Sequence, residues 1–106
     1  MKLKTLKTII RLTEDYRRTL RRALASYKDF KTSLNSRERV GFATLSFDNT
    51  CKANGIYESC LALNIPTLRE YLQDINREVY GEFNVACGDE YSELINYLGT
   101  LNEKGE

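Results

Sequence analysis

The chain has 106 residues, 42% of them apolar and 29% charged, with sixteen Lys and Arg, fifteen Asp and Glu, and no His. That length and balance describe one globular domain over residues 1–106, with room for a single modest core. A net charge of +1 argues against a strongly basic nucleic-acid binder or an acidic decoy, and the missing His removes the commonest general base and metal ligand.

The opening residues begin like a secretory leader, but Lys7 and Arg11 interrupt the apolar run and no small-residue cleavage site follows. Thr5 to Leu34 reads as one long amphipathic helix. Ile9, Leu12, Tyr16, Leu20, Ala23, Leu24, Tyr27, Phe30 and Leu34 gather on one side, and Lys4, Lys7, Arg11, Arg18, Arg21 and Arg22 on the other. Asn35-Ser36-Arg37-Glu38 reads as a capping box. The helix it opens carries Val40, Ala43, Thr44, Phe47 and Cys51 on its core face and is expected to stop at Asn54-Gly55. Ile56 to Leu63 is a further short helical stretch, broken at Asn64-Ile65-Pro66. Ile65, Leu68, Leu72, Ile75 and Val79 then form a stripe at spacings of three and four, ended by Gly81. Asp89 is expected to cap a last helix bearing Tyr91, Leu94, Ile95 and Leu98, closed by Gly99, with a frayed tail from Asn102 to Glu106. The expected fold is all-α, a small single-domain bundle of four to five helices led by the long N-terminal one.

Charge is segregated along this chain. Residues 1–39 hold twelve Lys and Arg against four Asp and Glu, a net of +8, and residues 40–106 hold four against eleven, a net of −7. Arg11, Arg17, Arg18, Arg21, Arg22 and Lys28 are the candidate residues for binding a partner or nucleic acid. Glu70, Asp74 and Glu78, spaced four apart, form a candidate acidic partner face. The two halves could also pair within the molecule.

Other motifs are weak. Tyr57 to Tyr71 has the outline of a helix-turn-helix, but its turn lacks a glycine and its second helix offers only Arg69 and Arg77 among four acids. The glycines are scattered, so there is no phosphate-binding loop, and a Cys-His or Ser-His nucleophile is impossible. Cys51, Cys60 and Cys87 contain no C-x-x-C pair and are read as small core hydrophobes. Tyr16, Tyr27 and Tyr91 fall on core stripes; Tyr57, Tyr71, Tyr80 and Tyr97 remain as candidate interface anchors. A membrane-surface role for the first helix is ranked last, because its apolar face is needed to cover the bundle. With no cofactor motif, no catalytic constellation and no run of ~18 apolar residues, the chain reads as a cytoplasmic, non-enzymatic binding protein. A protein partner, a second copy included, is the first reading; nucleic acid on the basic helix face is the alternative.

Overall fold

The computed structural model describes residues 2–104, with side chains described through Leu101. Four helices follow in order: α1 (Leu3–Thr32), α2 (Ser36–Leu61), α3 (Pro66–Phe83) and α4 (Asp89–Lys104). The all-α bundle led by a long amphipathic helix is therefore as expected. Several boundaries and one face differ, each for a physical reason.

Helix α1 stops two residues before the end of its periodic stripe, and Leu34 is wholly exposed. Asn35 must be extended to cap α2: at φ −93° and ψ 120° its side chain accepts the Glu38 N–H at 3.0 Å. The reciprocal half of the box is not made. The Glu38 carboxylate instead accepts the Ser33 hydroxyl at 3.5 Å. Helix α2 then runs straight through Asn54-Gly55. Ala53, Ile56, Tyr57 and Cys60 continue one stripe into the core across that point, and their burial outweighs the ~1 kcal/mol cost of a helical glycine.

The α2 core face is also not the one expected. Of Val40, Ala43, Thr44, Phe47 and Cys51 only Ala43 is buried; Phe47 is half-buried and the other three are exposed. The buried face is instead Ala43, Ser46, Asn49, Thr50, Ala53 and Cys60. These small side chains let the α1 and α2 backbones approach closely, and the Ser46 hydroxyl donates across the interface to the Ala23 carbonyl at 2.7 Å. Apolar periodicity picks out the largest side chains, whereas the closest helix crossing is lined by the smallest.

Helix α3 buries Leu68, Leu72, Ile75 and Val79 as expected, with Pro66 in its first turn. It passes Gly81 and ends where Asn84 turns left-handed at φ 54°, so that the Asn84 and Val85 N–H groups reach the Gly81 and Tyr80 carbonyls. Asp89 is the first residue of α4 rather than the cap before it, and the Ser92 N–H donates to the Gly88 carbonyl at 3.3 Å. The helix continues past Gly99 to Lys104, so Asn102–Lys104 are helical rather than frayed; the rest of the expected frayed tail, 105–106, lies outside the described residues.

Two apolar clusters share the molecule's long axis in a body of 52 × 29 × 18 Å. The larger joins Tyr16, Leu20 and Leu24 of α1, Ala53 and Cys60 of α2, and the α3 stripe from Leu68 to Tyr80. The smaller joins Tyr27 and Phe30 of α1 to Ala43 and Leu94, with Phe47, Tyr97 and Leu98 against them. Only Cys60 of the three cysteines is buried; Cys51 and Cys87 are exposed, and all three are free thiols. Tyr80, a candidate anchor, is buried, whereas Tyr91, expected in the core, is exposed.

Candidate interaction surfaces

The basic face of α1 divides into two groups. Arg17 and Arg21 turn towards α3. The Arg17 Nη1 donates to Glu78 Oε2 at 3.1 Å, and Arg21 grips Glu82 with two nitrogens, Nε at 3.2 Å and Nη2 at 2.8 Å. Both pairs are 61 residues apart, so α1 and α3 run parallel and in register. The Arg21 guanidinium holds the Glu82 carboxyl below its ordinary pKa, and Glu82 in turn raises that of Arg21. Glu82 is the next step of the acidic row Glu70, Asp74 and Glu78, so that row continues further than its first three members.

The other candidate residues stay on the outer ridge. Arg18 is engaged by Asp15 of its own helix, and Asp74 by Arg77 of its own. Arg11, Arg22, Lys28 and Glu70 are exposed and form no ion pair among the described residues. Arg18 and Arg22 share a groove with Lys52 of α2, a cation absent from the sequence-level candidates. The fold therefore brings Arg17 and Arg21 together with Glu78 and Glu82 and leaves Arg11, Arg18, Arg22 and Lys28 facing outwards.

A second surface is apolar. Val40 and Phe47 of α2 face Ile95, Leu98, Gly99 and Leu101 of α4 across an open groove of about 560 Å³. The Phe47 ring stacks on Tyr91 with centroids 5.8 Å apart. Val40 and Ile95 remain 37% and 42% exposed. Val40 and Ile95 carry the helical periodicity that marks a core yet stay on the surface, and Phe47 and Leu98 are only half-buried against the smaller cluster.

Helix α4 is held in place by polar contacts that periodicity does not reveal. The Tyr80 hydroxyl donates to the buried Glu90 carboxylate, and the Tyr27 hydroxyl donates to Glu93, which Lys31 also approaches at 3.6 Å. Burial raises the pKa of the Tyr80 phenol first and Glu90 adds to it; Tyr27 is raised likewise, with Glu93 adding. Midway along α4, Tyr97 meets Phe30 edge-on at 4.7 Å and the Arg39 guanidinium lies over both rings. On the opposite side, Tyr16, Asn54, Tyr57, Gln73, Asn76, Arg77 and Cys87 line a cleft of about 370 Å³. There Asn76 donates to the Tyr16 hydroxyl at 3.0 Å and the Cys87 thiol lies 3.5 Å from the Asn76 carbonyl oxygen.

No cluster of three metal-ligating side chains occurs among the described residues, and none of the described helices is long and apolar enough to cross a membrane. Helix, four-residue turn and helix do follow one another from Tyr57 to Tyr71, but the exposed side of α3 alternates Arg69 and Arg77 with Glu70, Asp74 and Glu78. Comparison with protein-family models, with curated proteins and with solved structures finds no match to this chain.

Proposed function

We propose that this chain is a non-enzymatic, cytoplasmic binding protein that works by protein–protein contact and self-associates along the α2–α4 groove. The observation that carries the reading is the groove itself, an apolar strip between two helices that the fold leaves open. Exposed positions beside it on the two helices include Gly41, Thr44, Ser92, Asn96 and Thr100, with Asp48 and, one turn before Val40, Arg37 as charges. An apolar strip with few charges beside it suits an apolar protein surface better than a phosphate backbone. A second copy presents the same strip, so a two-fold pairing would bury it on both sides.

Pairing of the two charged halves within the molecule weakens the nucleic-acid alternative, since Arg17 and Arg21 already have carboxylate partners. Light scattering on a chromatographed dilution series should give a mass that rises towards the dimer with concentration. Ile95→Glu, at an exposed position, should hold the chain monomeric with its helical signal unchanged. A wild-type chain that stays strictly monomeric at high concentration would refute the self-association.

A further inference from the structure

The first two turns of α1 stand clear of the bundle. Residues 2–7 are exposed on every side, and contact with the core begins only at Ile9 and Leu12. The objection that the apolar face of α1 is needed for packing therefore does not apply there. Leu3, Leu6 and Ile10 form a separate stripe, 66%, 44% and 54% exposed. At about 100° per residue these three fall within one narrow arc, with Lys7 on its edge and Lys4 and Arg11 further round. Lys2 immediately precedes the helix, and no acidic residue occurs before Glu14.

The stripe lies on a definite line of the fold. Ile10 precedes Arg17 by one heptad and Leu3 by two, so the stripe continues the side of α1 that faces α3. Tyr71 precedes Glu78 by the same heptad and is 43% exposed. The register set by Arg17–Glu78 and Arg21–Glu82 thus brings Ile10 level with Tyr71. One seam between α1 and α3 is ionic along one part and apolar and exposed at its other end, with Lys4, Lys7 and Arg11 beside the stripe on α1 and Glu70 and Asp74 beside Tyr71 on α3.

We propose that this end of the molecule docks on an anionic phospholipid surface. Leu3, Leu6 and Ile10 would enter the acyl boundary, Tyr71 would sit at headgroup level, and Lys2, Lys4, Lys7 and Arg11 would meet lipid phosphates. Apolar side chains at the centre of the arc and long basic ones around it match a helix lying in the interface plane. An excess of cations with no acid within the segment selects anionic over neutral lipid. The α2–α4 groove is not involved, so failure of either reading leaves the other standing.

The chain contains no Trp, so Leu6→Trp installs a single reporter at the proposed contact. Its emission should shift to the blue, and the protein should co-sediment, with phosphatidylglycerol-rich vesicles but not with pure phosphatidylcholine. Lys4→Gln with Lys7→Gln should lower partitioning by roughly tenfold or more, and Leu3→Ser with Ile10→Ser should abolish the blue shift. Sedimentation of the unsubstituted chain keeps the test independent of how well the Trp variant folds. Wild-type protein that stays in the supernatant with both vesicle types, as docking on an acidic protein would give, overturns the proposal. So does binding that survives the double serine substitution, because that is diffuse adsorption by the arginine ridge.

Discussion

Tyr80 and Glu90 show how much of this fold depends on single polar groups. Glu90 is 1% exposed, and one of its two carboxylate oxygens has the Tyr80 hydroxyl as its partner while the other has none. Tyr80→Phe removes that partner and strands a buried carboxylate, which should cost about 1–3 kcal/mol in a denaturant melt. The phenol also sets an alkaline limit. An unfolded tyrosine ionises near ~10, whereas burial and Glu90 push the folded Tyr80 well above that. The folded state therefore retains a proton that the unfolded state loses, so this contribution is complete below about pH 10 and declines as pH rises further. Stability measured across the alkaline range should fall in wild type, and more gently in Tyr80→Phe. None of this was legible in the sequence. Glu90 has the composition of an exposed first-turn acid, and nothing local says that α3 will bring a tyrosine over it.

Among the elements, the stripes of α1 and α3 were legible because each is long, strongly periodic and packed on one side. Asn35 was legible too, since a cap acts through its immediate neighbours. The stop expected at Asn54-Gly55 failed because a local signal met a stronger tertiary one. Gly55 sits inside α2 with open space where a Cβ would project. Gly55→Ala should therefore stabilise the protein by about 0.5–1 kcal/mol, through helix propensity alone. Gly88 also has open space, but it adopts φ +91° ahead of α4. Gly88→Ala should destabilise by about 1 kcal/mol or more. Paired thermal melts of the two variants, moving in opposite directions, check both statements. The α2 face was misread for a related reason. Val40, Phe47, Tyr91 and Ile95 have core-like periodicity because an apolar strip left at the surface and one facing a core obey the same helical spacing.

For the whole molecule, the sequence-level charge halves of +8 and −7 are partly reconciled by parallel packing of α1 and α3. The arginine candidates form a single set along the sequence, and three-dimensional placement separates them into paired and outward-facing members. That separation depends on helix register, which composition cannot supply. The two apolar clusters have a consequence for cooperativity. Helix α4 belongs to the smaller one, anchored chiefly by Leu94, Tyr97 and two carboxylate–tyrosine contacts, while α3 closes the larger. Amide hydrogen exchange should therefore be faster along α4 than along α3, with α4 opening as a unit while the α1–α3 core stays closed. Equal protection in the two helices would contradict this. The groove at Ile95 lies on the unit that opens first, so whatever occupies it binds only the closed form. Occupancy would then be read remotely, as slowed exchange of α4 amides that the partner never touches.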